Sequence, residues 1–277
     1  MASMKVLVFC RETLVRLTVK LGGSILEDAG IRSHIINQIV AARNQGHEII
    51  LVHGGGKHLN RRLSQLGLTS RFINGLRVTD EATLQVALMV LAGEVNKTLV
   101  LEIARGGAAA LGISGADGAA VRCLPLSSDS HAAESLGFVG KPTRINKDLF
   151  EGILASGTIP VVCSIALGED FHFYNVNADQ MASICAWAVG SQALIYLTDV
   201  GGVLNEFGEV IQRMNPGEIT VMRERGILKG GMLPKTASCL EALERGVPCA
   251  YILPGASPGI LLHFIHGDLI EGTCIHG

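Results

Sequence analysis

The chain has 277 residues, 48% of them apolar, 17% charged and 4% aromatic, with 34 glycines. This is the profile of an aliphatic-packed α/β protein large enough for one big domain or two lobes. A formal net charge of −2, one Trp and three Tyr exclude a basic phosphate-backbone groove and a base-stacking platform, so no nucleic-acid partner is expected. Seven cysteines without any Cys-x-x-Cys spacing exclude a disulfide framework and a structural zinc site, and no apolar run is long enough for a membrane span or, at residues 6–10, for a signal peptide; a reduced, cytoplasmic protein is expected.

Residues 1–16 form a leader whose role the sequence does not reveal. Residues 16–21 alternate as a short strand that places Lys20 near its carboxyl end and then runs into Gly22-Gly23-Ser24. Glycine lets backbone approach a ligand closely, and in open α/β sheets ligands sit outside the carboxyl ends of the strands, so a cation beside bare amides suits an anion there. Helical spacing over 28–44, a buried strand over 48–52, the turn His53-Gly54-Gly55-Gly56-Lys57 and a helix over 57–66 repeat the order strand, glycine turn, helix. Three consecutive glycines cost backbone entropy that a plain turn does not require, and the helix start offers free amide donors, so this turn is read as binding a phosphate or carboxylate. It is neither a Walker loop nor G-x-G-x-x-G. His53, His58, His263 and His266 lack metalloprotease partners and are read as structural, with no metal site expected.

The loop 71–80 carries Arg77, whose guanidinium fork suits a carboxylate, and Thr79 or Asp80 caps a long helix over 81–104. A strand near 110–114, hairpins over 119–145, a helix over 146–156 and a buried strand over 159–165 complete a first lobe, residues 17–165. In the second lobe, 166–277, a loop over 168–174 delivers Asn175-Val176-Asn177-Ala178-Asp179-Gln180 to the mouth of a helix running to 189. Asn177 fits an N-cap and Asp179 the acid-favouring first turn, whereas capping gives no reason for Asn175. A strand over 193–198 ends in Thr198-Asp199-Val200-Gly201-Gly202, followed by a hairpin at 205–208 and a short helix over 216–225. Then Gly230-Gly231-Met232-Leu233-Pro234-Lys235 opens a helix over 232–245. A lysine near a helix amino end opposes the dipole, which hints at an anion held beside it. A strand over 249–253, an apolar helix through 265 and a strand over 273–275 close the chain.

Taken together, Lys20-Leu21-Gly22-Gly23-Ser24, His53-Gly54-Gly55-Gly56, Asn74-Gly75-Leu76-Arg77-Val78-Thr79, Asn175-Val176-Asn177-Ala178-Asp179-Gln180, Thr198-Asp199-Val200-Gly201-Gly202-Val203 and Gly230-Gly231-Met232-Leu233-Pro234-Lys235 resemble the amino acid kinase family from about residue 17 onward. The Asn-Gly-Leu-Arg-Val-Thr and Asn-Val-Asn-Ala-Asp-Gln pieces are similar to its N-acetylglutamate kinases and separate the chain from aspartate, glutamate, carbamate and uridylate kinases. The resemblance implies a three-layer αβα sandwich around a mainly parallel open sheet, with an acyl-substrate lobe (17–165) and a nucleotide lobe (166–277). It implies ATP-dependent phosphorylation of the γ-carboxylate of N-acetyl-L-glutamate, the second step of arginine biosynthesis, with Mg2+ carried mainly on the ATP phosphates. By motif position it makes Lys20, Lys235 and Asp179 catalytic, and sets Gly55, Gly56, Arg77 and Asn175 against the acyl substrate. Gly22, Gly23, Thr198, Asp199, Val200, Gly201, Gly202, Ile227, Leu228, Lys229, Gly230, Gly231 and Met232 would line the nucleotide.

Two features depart from the arginine-inhibited hexamers of that family: a shorter leader, and His263 where those members usually carry Glu. A homodimer without strong arginine inhibition is therefore expected. Two other readings share the fold. A kinase for a carrier-bound aminoadipate derivative would need a charged docking run that the chain lacks, and a non-catalytic amino-acid sensor would need Lys20, Lys235 or Asp179 to be missing.

Overall fold

The computed structural model describes residues 14–73, 75–126, 136–268 and 271–277; most of the leader, Cys10 and Asn74 of the Arg77 motif lie outside the described residues. In chain order the first half comprises β1 (Arg16–Leu21), α1 (Gly23–Glu27), α2 (Ala29–Asn44), β2 (Glu48–His53), α3 (Gly56–Gln65), the two-residue strands β3 (Phe72–Ile73) and β4 (Leu76–Arg77), and α4 (Glu81–Ala87). A π-helical stretch, Leu88–Val95, joins α4 to α5 (Asn96–Arg105), and β5 (Ala110–Ile113), β6 (Val121–Pro125), β7 (Val139–Ile145), α6 (Lys147–Ala155) and β8 (Ile159–Cys163) follow. The remainder is β9 (Ile165–Gly168), β10 (Phe173–Val176), α7 (Ala178–Ala188), β11 (Ala193–Thr198), β12 (Arg213–Met214), α8 (Pro216–Glu224), α9 (Met232–Glu244), β13 (Cys249–Pro254), α10 (Ile260–His266) and β14 (Thr273–His276).

Eight strands form one sheet in the order β12-β14-β13-β11-β1-β2-β8-β5, parallel throughout except where β13 meets β14. The alternation of β1 explains the layering, since successive side chains of a strand point to opposite faces. Leu17, Val19 and Leu21 join the core under α1, α2, α3, α5 and α10, which supply Leu26, Ile35, Leu63, Leu99 and Phe264. Tyr196 of β11 joins the opposite core with Phe150 of α6, Met181 of α7, Ile219 of α8 and Cys239 of α9. Thr18 and Lys20 point to this second face, so the β1 lysine is directed beneath helices instead of into solvent. With both faces covered, inner strands such as β2 and β11 are almost continuously apolar, as a parallel sheet between two helix layers requires. This is the expected αβα sandwich. Strands β10, β7, β6 and β9 close into a small separate barrel.

Side-chain caps set the amino ends of five of the described α-helices. Asp28 caps α2, Asp80 α4, Asn146 α6 and Asn177 α7, and Asn215 forms a reciprocal capping box with Glu218 on α8; each cap contributes about 1 kcal/mol. Five stretches differ from the sequence expectation: the strand over 159–165 breaks at Ser164, so that Ile165 opens β9 in the barrel, and the loop 71–80 contains the β3–β4 pair. The Gly-Gly-Ser turn winds into α1, because Leu26 N reaches back to Gly22 O at 3.2 Å. Of the expected loop over 168–174, residues 169–172 are the tip of the β9–β10 hairpin, while Gly168 ends β9 and Phe173 and Tyr174 open β10, where Tyr174 and Val176 are buried and Phe173 and Asn175 only half-buried. The long helix after Asp80 is interrupted by its π-helical stretch, which packs Leu91 and Val95 against Gly55; such wide turns recur beside functional sites.

Candidate active site

Three charged side chains from three elements meet under the carboxyl end of β1. Lys20 Nζ stands 2.7 Å from Asp179 Oδ1, and Lys235 Nζ, from the first turn of α9, stands 3.5 Å from Asp179 Oδ2. All three side chains are about nine-tenths buried. Asp179 is in the first turn of α7, where Asn177 Oδ1 accepts its amide at 2.7 Å. The anion inferred from the position of Lys235 is thus this carboxylate. Burial alone would push the Asp179 carboxyl up, but Lys20 and Lys235 outweigh it and hold the group below the usual carboxylate range. For Lys235, burial and then repulsion from Lys20 lower its pKa, and Asp179 offsets only part of this. Two ammonium groups share one carboxylate, leaving a net positive site with capacity for a further anion.

Lys20 and Lys235 also line a cleft of about 530 Å³ at the carboxyl ends of β1 and β11. Gly22 brings the chain against β11: its amide donates to Leu197 O at 2.9 Å, and a Cβ there would stand 2.9 Å from the same oxygen. Of the residues expected at a nucleotide, Gly22, Gly23, Thr198, Asp199, Val200, Gly202, Ile227, Leu228, Lys229, Gly231 and Met232 line this cleft. Gly201 is not part of the lining, and Gly230 lines a neighbouring hollow between α9 and the 75–76 loop. Burial tends to raise the Asp199 carboxyl, but its own amide, Ser24, Thr198 and Lys57 together hold it below its ordinary value.

A smaller pocket of about 160 Å³ opens at the glycine turn after β2, and contains Gly55, Gly56, Arg77 and Asn175 together with Asn177 and Ala178, the residues just before Asp179. Arg77 is only 8% exposed. Its guanidinium donates to Ser70 Oγ and, at 3.4 Å, to Gly56 O, and lies 4.7 Å from the centre of the Phe72 ring. Thr79 Oγ1 donates to Arg77 O at 2.9 Å and accepts from Asn175 Nδ2 at 3.2 Å; among the described residues the Asn175 carbonyl oxygen and its other amide hydrogen have no partner, so both can meet a ligand. Beneath the turn, His53 is fully buried, so its pKa falls to about 4 despite the bond to Gly54. The neutral ring donates from Nδ1 to Gly54 O at 2.8 Å and accepts Asn96 Nδ2 at Nε2, 3.0 Å away. The structural reading of His53 fits this bonding.

Apart from Gly201 and Gly230, the expected residues fall into one triad and two cavities, the cleft containing Lys20 and Lys235 and the pocket reaching Asn177 and Ala178 beside Asp179. Ser24, Lys57 and Leu204 in the cleft, and Phe72, Leu91, Val139 and Ser164 in the pocket, were not singled out from sequence. Lys57 directly follows the triple glycine, and Ser24 ends the Gly-Gly-Ser turn; both had a visible signal. Leu91, Val139 and Ser164 arrive from distant elements with none.

Comparison with known proteins follows this geometry. The amino acid kinase family model matches residues 16–253. The acetylglutamate kinase of Rhizorhabdus wittichii is 43% identical over 92% of this chain and 86% of its own length, and that of Acidobacterium capsulatum is 41% identical over 94% and 98%. Among solved structures, N-acetylglutamate synthase from Neisseria gonorrhoeae, complexed with coenzyme A and N-acetyl-glutamate, superposes with a TM-score of 0.84 at 23% identity. The present chain spans 59% of that protein, of which 95% of this chain is matched, a likeness of fold alone. The chain belongs to the amino acid kinase family, alongside its acetylglutamate kinases.

Proposed function

We infer that this chain transfers the γ-phosphoryl group of ATP to the γ-carboxylate of N-acetyl-L-glutamate, giving N-acetyl-L-glutamyl 5-phosphate for arginine biosynthesis. The observation that carries the mechanism is the meeting of Lys20 and Lys235 on one carboxylate. ATP occupies the larger cleft, with Gly22, Gly23 and the turns at 198–202 and 227–232 around it. The acyl amino acid occupies the smaller pocket, with Arg77 on its α-carboxylate and Asn175 and the amides of Gly55 and Gly56 around it. In this reading residues 17–165 form the acyl lobe and 166–277 the nucleotide lobe.

The nucleophile needs no general base, because a γ-carboxylate with a pKa of about 4.3 is already ionised at neutral pH. One carboxylate oxygen bonds to Pγ as the bond from Pγ to the β-phosphate bridging oxygen breaks, and ADP leaves. The obstacle is the approach of two anions. Lys20 and Lys235 stabilise the charge that spreads over the equatorial oxygens, and Asp179 keeps both ammonium groups aimed at one point. Asp179 has both oxygens engaged by lysines, so Mg2+ fits best on the ATP phosphates, where it would neutralise β- and γ-oxygen charge.

ATP-dependent hydroxamate formation from N-acetyl-L-glutamate and hydroxylamine, which traps an acyl phosphate, tests the assignment. Activity with free glutamate but not the acetyl form would move it to another member of the family. We also propose a cytoplasmic homodimer without strong arginine inhibition. The dimer is supported by the exposed apolar side chains of Met89 in the π-helical stretch, Leu101 on α5 and Leu111 on β5, an edge strand of the sheet. Sizing that gives a hexamer, or loss of activity in millimolar arginine, would overturn it. Among the described residues, no helix is long and apolar enough to cross a membrane.

A further inference from the structure

Tyr196 on β11 is in register with Lys20 on β1, so the two side chains share a face of the sheet, and Tyr196 is fully buried there. Its ring lies under the second lysine, with Lys235 Nζ 5.1 Å from the ring centre, inside the range in which the negative face of an aromatic ring attracts a cation. Its hydroxyl stands 2.8 Å from Ser238 Oγ and 3.2 Å from the main-chain carbonyl of Asp179, either of which can accept its proton, and Ser238 Oγ donates to the same carbonyl. Leu194, Ile195 and Leu197, its neighbours on the strand, are aliphatic and equally buried. A phenol among them adds a hydroxyl that must be bonded to avoid a burial cost. Either bond satisfies that requirement, but packing alone gives no reason for an aromatic face beneath an ammonium.

The charges around Lys235 provide that reason. From β1 it faces Lys20, from α7 Asp179, from β11 Tyr196, and from its own helix Cys239. Burial pushes both the Cys239 thiol and the Tyr196 phenol far up, so both stay neutral. Asp179 is shared, and it lies nearer to Lys20 than to Lys235 (2.7 Å against 3.5 Å). The ring is thus the second source of favourable potential for the more weakly paired lysine.

We propose that Tyr196 is a positioning residue for phosphoryl transfer: its ring face holds the Lys235 ammonium in place, and its hydroxyl, with Ser238, fixes the first turn of α7 that carries Asp179. This rests on the phosphotransfer reading above. Three full-length variants separate the two parts. Tyr196→Phe keeps the ring and removes the hydroxyl, Tyr196→Leu removes both, and a ring-fluorinated phenylalanine introduced at position 196 keeps the shape while weakening the negative face.

The titration of Lys235 is followed by lysine side-chain NMR without substrate, and kcat and both KM values are measured against pH. In the Leu and fluorinated variants Lys235 should lose its proton about 0.5–1 pH unit lower than in Tyr196→Phe, the size expected for a buried cation–π contact. The alkaline limb of kcat should move by the same amount, with both KM values within about threefold, a pattern typical of an interaction made in the transition state. Tyr196→Phe should lower kcat a few-fold without moving the limb. Equal Lys235 titration in all three variants would overturn the proposal, and if Tyr196→Leu fails to fold the fluorinated form decides alone. Absence of ATP-dependent phosphorylation in the unaltered protein would instead overturn the kinase reading, while the substrate-free titration would still judge the ring contact.

Discussion

The cleft and the pocket present different charged groups. Both are edged by glycine turns, but the larger has Lys20, Lys57, Lys229 and Lys235 as its cations and Asp199 as its carboxylate. The smaller presents Arg77 and Asn175, and each is already fixed by a neighbour: Arg77 by Ser70 and Gly56 O, Asn175 by Thr79. Backbone amides and several ammonium groups suit a phosphate chain, whose charge is spread and whose oxygens tolerate many directions. A planar fork held in advance suits a carboxylate at one angle and adds little ordering cost on binding. On the function proposed above, the contrast would place catalytic power at the triad between the two cavities, substrate discrimination in the pocket, and only general attraction in the cleft.

The largest effect should therefore come from the triad. Lys20→Ala and Lys235→Ala should each lower kcat by about 10²–10³-fold, the loss expected for a main electrostatic donor, while KM for either substrate changes far less. A variant that raised only the KM for ATP would show that its lysine belongs to the cleft and would break the division. Next comes the pocket. Arg77→Lys keeps the charge but loses the fork, and should raise KM for the acyl substrate about 10–100-fold, the value of hydrogen bonds to a charged group, with KM for ATP nearly unchanged. Steady-state kinetics with each substrate varied in turn would read both.

The layers of the fold were legible because the chain states them locally. The alternation of Leu17, Val19 and Leu21, and the apolar runs of β2 and β11, leave little freedom for a parallel sheet under helices. Lys20, the triple glycine and the turn at 198–202 were legible because each sits where a strand ends and glycine begins, and Asp179 and Lys235 because each lies in the first turn of a helix. The 168–174 hairpin was harder to read, because Gly168, Glu169 and Asp170 carry turn chemistry while Phe173 and Tyr174 carry strand pattern. The π-helical stretch was not legible at all, since Leu88 to Val95 is as apolar as an ordinary buried helix. The tertiary demand that Leu91 and Val95 pack on Gly55 while Asn96 reaches His53 sets its width, and those partners lie far away in sequence. Tyr196 was hidden for the same reason, since in sequence it is one more residue of an apolar strand.

That tertiary demand on Gly55 gives a third, smaller test. Its φ is +153°, which favours glycine, and a Cβ would come within 2.7 Å of Leu91 Cδ2. Gly55→Ala should cost about 1–3 kcal/mol of stability and raise KM for the acyl substrate roughly tenfold, because the turn must shift away from the π-helical stretch. Thermal melting and the same kinetic series measure the two parts. An unchanged KM in a folded Gly55→Ala protein would remove the turn amides from the pocket's recognition set.

The smallest effect is the sharpest check on the cleft. Lys57 follows the triple glycine in sequence, yet it lines the cleft and not the pocket, and its charge acts on Asp199 at the end of β11. It is solvent-exposed, so its attraction for a phosphate chain is screened and should be worth ~1 kcal/mol or less. Lys57→Gln should raise KM for ATP by about two- to fivefold, leave kcat and the acyl KM unchanged, and lose most of its effect as ionic strength rises, because salt screens exposed charges at this range. A salt-independent rise in the acyl KM would instead mean that the glycine turn carries its lysine into the pocket during closure. The two cavities would then share a wall that moves, and the division of labour between them would hold only for the open form.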